Sequence, residues 1–141
     1  MRVILDTNVF VSAAIADGTS RRLLNAIPID SGTEVIVSPA LLGELDEVLT
    51  RPKFRRWISL DDVRAFIDRI RSEATLLPDP PASEPTTRDP DDDYLVALAL
   101  HAHADALVSG DLDLTSATDL PIPTLTPADL FARLIATEPS E

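Results

Sequence analysis

The sequence contains no cysteine, which excludes disulfides and thiolate metal sites and fits a reducing cytosol. Aromatic residues make up only 4% of its 141 residues, so any core must be built from Leu, Val, Ile and Ala. No apolar run approaches membrane-spanning length. Asp6 and Asn8 interrupt the opening apolar stretch too early for a signal peptide, and a cytoplasmic protein without a membrane partner is expected. Positive charge is also scarce: 12 Lys and Arg face 24 acids, a net charge of -12. That balance argues against non-specific coating of DNA or RNA, but not against an enzyme whose acids hold metal ions. No Gly-x-Gly-x-x-Gly follows Leu5, which disfavours a dinucleotide-binding domain.

What is present points to one globular domain over residues 1–141, with 45% hydrophobic residues and no internal repeat. Val3, Ile4 and Leu5 form a short apolar run with no polar face, as in a central strand covered on both sides. Asp6 ends it, and Thr7 and Asn8 lead into an apolar helix. Thr19 or Ser20 can cap a second helix, Arg21 to Ile27, ended by Pro28. Glu34 to Val37 reads as another buried strand. Ser38 followed by Pro39 is a helix start, with Leu41, Leu45, Val48 and Leu49 on one stripe and Glu44 at its edge.

Beyond Pro52, Ser59 and Asp62 resemble a capping pair before the amphipathic helix of Val63, Phe66, Ile67 and Ile70. Thr75 to Leu77 reads as a short strand. Pro78 to Pro90 holds five prolines and reads as a loop. Asp89 and Pro90 repeat the cap-plus-proline start. In the helix that follows, Asp93 shares a face with Val96, Ala97 and Leu100, which reads as the inward one; Asp92 is the reserve candidate. His101 and His103, two residues apart, do not face each other and are not expected to bind metal. Ala106 to Val108 is a further buried strand, followed by Ser109-Gly110-Asp111-Leu112-Asp113-Leu114. An edge strand is expected at Ile122, and a last helix from Thr126-Pro127 with Leu130, Leu134 and Ile135 inward.

Strands alternating with helices imply a mostly parallel sheet. Asp6 and Asp111 then leave it at one edge, and Glu44 and Asp93 lie in the first turns of helices that start from that edge, so all four can converge. Each acid has a plainer role available: Asp6 as an N-cap, Glu44 in a salt bridge, Asp91 to Asp93 on a helix dipole, Asp111 in an ordinary Gly-Asp turn. Together, however, four carboxylates repel, and an all-oxygen set without Cys or His suits Mg²⁺ or Mn²⁺. Arg51, Lys53, Arg55 and Arg56 open a locally positive region that can meet phosphates.

Leu5-Asp6-Thr7-Asn8, the Ser38-Pro39 helix with Glu44, the Asp89-Pro90-Asp91-Asp92-Asp93 start and Ser109-Gly110-Asp111-Leu112-Asp113-Leu114 resemble, in that order, a PIN-domain ribonuclease of the kind that serves as the VapC-like toxin of bacterial toxin-antitoxin pairs. The resemblance implies an α/β fold, PIN-like and three-layered (α/β/α), around a mostly parallel sheet of four to five strands. It implies Asp6, Glu44, Asp93 and Asp111 as catalytic and metal-binding acids, with Asn8, Asp92, Ser109 and Asp113 in support. Metal-dependent hydrolysis of RNA, a cognate antitoxin and a homodimer follow from the same likeness. The alternatives are a PIN nuclease of RNA processing or a catalytically silent PIN-like binding module. A phosphoryl-transfer enzyme with a nucleophilic Asp after its first strand is disfavoured, because Asn8 stands where such hydrolases carry a second acid.

Overall fold

The computed structural model describes residues 1–27, 32–81, 90–111 and 120–136. Five strands, β1 (Arg2–Leu5), β2 (Glu34–Val37), β3 (Thr75–Leu76), β4 (Ala106–Val108) and β5 (Thr124–Leu125), form one sheet in the order β3-β2-β1-β4-β5. Every neighbouring pair is parallel, with Ile4 opposite Ile36 on one side and Leu107 on the other. Val3, Ile4 and Leu5 are completely buried although successive side chains point to opposite faces, so β1 is covered above and below. Each such side chain contributes about 1.5–3 kcal/mol. The chain winds outward from β1 to β2 and β3, then returns to β4 and winds the other way to β5. The reversal lies between β1 and β4, and in open α/β sheets ligands bind at the carboxyl ends of the strands at this point.

Among the described residues six α-helices complete the layers: α1 (Thr7–Ile15), α2 (Thr19–Ala26), α3 (Pro39–Leu49), α4 (Leu60–Glu73), α5 (Pro90–His101) and α6 (Pro127–Ala136). α1 packs on α2 and α3, α2 on α6 and α3 on α4, while α5 lies against β1 and β4. Phe10 of α1 is the largest fully buried side chain; the rest of the core is mostly aliphatic, as the composition requires. None of the described helices is long and apolar enough to cross a membrane.

Local signals hold where the cap is a side chain. Ser38 accepts from the Leu41 N–H at 3.2 Å, Ser59 from Asp62 at 3.1 Å and Thr126 from Asp129 at 3.1 Å. α2 differs from the expected Arg21 start: it begins at Thr19, with Gly18 as N-cap and no side-chain cap bond, because the extended Gly18 carbonyl already accepts from Arg22. Its expected end at Pro28 lies outside the described residues. The last strand is Thr124–Leu125, not Ile122, since Pro121 and Pro123 lack the N–H groups that pairing needs. Ile122 is buried nonetheless, whereas Ile135, expected inward, is 53% exposed.

α5 carries the correction that matters most. Leu95, Val96, Leu98 and Ala99 make its buried side, continued by Ala102 just beyond its end, while Leu100 is 48% exposed and Ala97 half-buried. The row of Asp93, Val96, Ala97 and Leu100 is therefore a border, not the inward face. Asp93 itself is half-buried.

Candidate active site

β1 delivers Asp6 to the switch point and β4 delivers Ser109 beside it, since Leu5 pairs with Val108. The Asp6 N–H donates to the Val108 carbonyl at 2.8 Å. One carboxylate oxygen of Asp6 accepts from the Asn8 N–H at 3.2 Å, which caps α1. The other accepts from the Ser109 hydroxyl at 2.9 Å. Capping and site readings of Asp6 are thus compatible, one oxygen for each. Ser109, completely buried, also accepts from the Asp111 N–H at 3.0 Å and so ties the loop after β4 to Asp6.

Glu44, one and a half turns into α3, meets the Thr7 hydroxyl, which donates to it at 3.3 Å. This hydroxyl supplies the partner that a carboxylate beside an apolar stripe requires. At this sheet edge the Thr7 hydroxyl holds Glu44, and Ser109 links the Asp6 carboxylate to the backbone of Asp111, whose side chain is exposed. Asp93 stands in the first turns of α5, next to Tyr94. Asn8 is exposed and contributes its backbone. The Asp92 side chain and Asp113 lie outside what the structure describes.

Thr7, which the sequence marks only as part of a motif, thus has a role: it holds Glu44. Nothing in the sequence pattern marks Tyr94 or Asp79. The Tyr94 hydroxyl hydrogen-bonds the buried Ser38 hydroxyl and donates to Asp79 at 2.7 Å, while the Ala40 N–H donates to the same Asp79 oxygen at 3.0 Å. This relay ties α5 to the N-terminus of α3 and the loop after β3. The only signal for it was a lone phenol beside three acids.

Burial pushes the Tyr94 hydroxyl up to about 12, assisted by the bond to Asp79 and the negative charges of Asp79 and Glu44, and opposed by Ser38. Asp79 is held below its ordinary value, first by Tyr94 and then by the Ala40 N–H. The signs follow from linkage. A neutral Tyr94 stabilises the fold below its unfolded value of about 10, and that contribution disappears as pH rises through about 12. Asp79 stabilises above the ordinary carboxylate range, and its contribution is lost as pH falls through its depressed value. Tyr94 is the single tyrosine, so tyrosinate absorbance in a chelator-treated sample reads it directly. The expected midpoint is about 12; an ordinary phenol midpoint would show that the hydroxyl is not held in this buried position.

Asp6 is only 9% exposed and makes no ion pair among the described residues. A buried carboxylate without a cation is costly, and the surrounding donors are all oxygen, so the residues fit a hard divalent ion. Among the described residues no three acids or histidines sit close enough to hold one ion between them. Mg²⁺ commonly keeps several waters and takes one or two carboxylates, so this spacing is compatible with it.

The basic segment lies after α3. Arg51, Lys53 and Arg56 are exposed, whereas Arg55 is half-buried and donates to the Leu49 carbonyl and, at 3.3 Å, to that of Arg51. Arg55 thereby closes the end of α3.

A family model described as PIN domain matches residues 2–113. An uncharacterized protein of Methanocaldococcus jannaschii is 28% identical over 120 residues, covering 84% of this chain and 76% of that protein. Two solved structures share the fold. VapBC2 from Rickettsia felis, bound to a DNA fragment from its promoter, superimposes with a TM-score of 0.62 at 13% identity, covering 89% of this chain and 98% of that one. PAE2754 from Pyrobaculum aerophilum gives 0.65 at 15% identity, covering 96% and 90%. With the family match running from β1 past Asp111, over a parallel sheet that sets Asp6 and Ser109 at its switch point, the chain belongs to the PIN-domain family, a family of nucleases.

Proposed function

We propose that this chain is an Mg²⁺- or Mn²⁺-dependent endoribonuclease, the toxin of a toxin-antitoxin pair. One observation carries the metal-dependent part of this reading: a buried carboxylate, Asp6, at the β1/β4 switch point with both oxygens fixed by Asn8 and Ser109 and no cation paired to it among the described residues. Asp6 is the central ligand, and Glu44 and Asp111, from the same edge of the sheet, reach the ion through its waters. The fourth acid comes from the start of α5. Asp93 is half-buried there, and position 92 belongs to the same helical row as Leu95, Val96 and Ala99, which makes Asp92 its competitor.

A bound divalent ion would supply stabilisation of charge on the scissile phosphate and on the leaving 3′ oxygen, and would acidify the attacking water. The chain's own residues do the rest. Thr7 orients Glu44, Ser109 orients Asp6 and the Asp111 backbone, and the Ser38–Tyr94–Asp79 relay fixes where α5 begins. A cognate antitoxin and a homodimer belong to the same reading, which the likeness to VapBC2 supports at the level of fold.

The test is incubation of purified protein with a mixed RNA pool, with and without Mn²⁺, and mapping of product ends. Cleavage only with metal is expected, together with a metal-induced rise in Tm equivalent to about 2.7 kcal/mol at a hundred times Kd. No cleavage and no rise would dismiss the metal-dependent ribonuclease. Copurification of a small protein that blocks cleavage tests the toxin assignment.

A further inference from the structure

The segment joining α3 to α4 carries features that the acidic site does not use. Between Arg51 and Trp57 stand four cations and no acid, in a chain of net charge -12. Phe54 and Ile58 are buried and anchor the segment, whose first residues, Pro52–Phe54, form a short 3-10 turn. Arg55 is turned to the end of α3. Arg51, Lys53 and Arg56 remain at the surface, with Arg51 3.7 Å from Glu47 in a well-exposed pair. Among them is Trp57, 53% exposed and the only tryptophan. The Arg56 guanidinium lies 5.1 Å over the indole and the Lys53 ammonium 5.1 Å over the Phe54 ring. The two rings are 6.3 Å apart and tilted by 54°.

A half-open indole set among cations combines the two contacts that a single strand of nucleic acid offers at each nucleotide, a π-face and a phosphate. We propose that Trp57 is a base-stacking platform for single-stranded RNA, with Arg56, Lys53 and Arg51 on the flanking phosphates. The proposal rests on the ribonuclease reading for its choice of RNA. The segment that carries the platform starts at the far end of α3, whose 11 residues give about 16 Å of rise from Ser38 at the carboxyl edge of the sheet. It therefore holds a part of the substrate several nucleotides away from the bond that is cut. Stacking tolerates any base, so the platform adds affinity and length preference while leaving sequence choice to the acidic edge.

The experiment is titration of a single-stranded RNA oligonucleotide into the full chain with chelator present, followed by tryptophan emission. Quenching on binding is expected. Read by the fluorescence anisotropy of an end-labelled RNA, which does not depend on the indole, Trp57→Ala should bind about ten-fold more weakly than the parent, with Trp57→Phe recovering most of the loss. Arg56→Ala should reduce the slope of log K against log salt by about 0.7, the signature of one lost phosphate contact, while Trp57→Ala leaves that slope unchanged. Binding without quenching, and with Trp57→Ala as tight as the parent, overturns the platform while leaving the ribonuclease reading intact. A parent protein that neither binds nor cleaves any RNA overturns both. Emission that responds only to protein concentration overturns the platform in favour of a contact between copies of the chain.

Discussion

Asp6→Asn lowers metal-dependent RNA cleavage by about 10³-fold, the several kcal/mol expected for loss of the central ligand to a charge-stabilising ion. The fold survives the change. Asn is as good an N-cap as Asp, so the bond from the Asn8 N–H to α1's cap position persists, and the Ser109 hydroxyl still meets a polar group. The substitution also removes a charge that is 9% exposed, which relieves desolvation. Without metal, Tm should therefore stay level or rise, while the increase produced by Mn²⁺ disappears. Kinetics and thermal melts on the same preparation check both halves. Full metal-dependent cleavage by Asp6→Asn would falsify the central role of this residue.

Ser109→Ala acts one bond further out. The hydroxyl donates to Asp6 and accepts from the Asp111 N–H, so its loss leaves a carboxylate oxygen and a backbone donor without their partner. Each orphaned group costs about 1–3 kcal/mol where it stays dry, and Ser109 itself is completely buried. Activity should fall about 10–100-fold, as when a group that orients a metal ligand is removed. Denaturant midpoints measure the first effect and kcat the second. Lower stability with unchanged kcat would make Ser109 a part of the fold alone.

The strands that bury both faces were legible because nothing polar interrupts them: Val3 to Leu5, Val35 to Val37 and Ala106 to Val108 are unbroken apolar runs. The acids that follow β1 and β4 were legible for the same reason, since the residue ending a buried strand is set at the sheet edge. Caps made by side chains, such as Ser38 and Ser59, could also be read directly. α5 resisted because its Leu and Ala residues surround the helix, so the periodicity does not choose a face, and only docking on β1 and β4 decides that Leu100 is outside. β5 was displaced by the missing N–H groups of two prolines, an effect of pairing and not of hydropathy. The relay through Tyr94 joins residues 15 and 56 positions apart, across a proline-rich loop, and no local pattern encodes such a meeting.

The two outermost strands are only two residues long apiece, Thr75–Leu76 and Thr124–Leu125. Each flank of the sheet thus presents very few unpaired peptide groups, too little template for a stray polypeptide to add itself by β-augmentation. Fibrillar growth from these two edges is disfavoured, so the helices and loops offer the larger surfaces for assembly with copies of the chain or with other proteins.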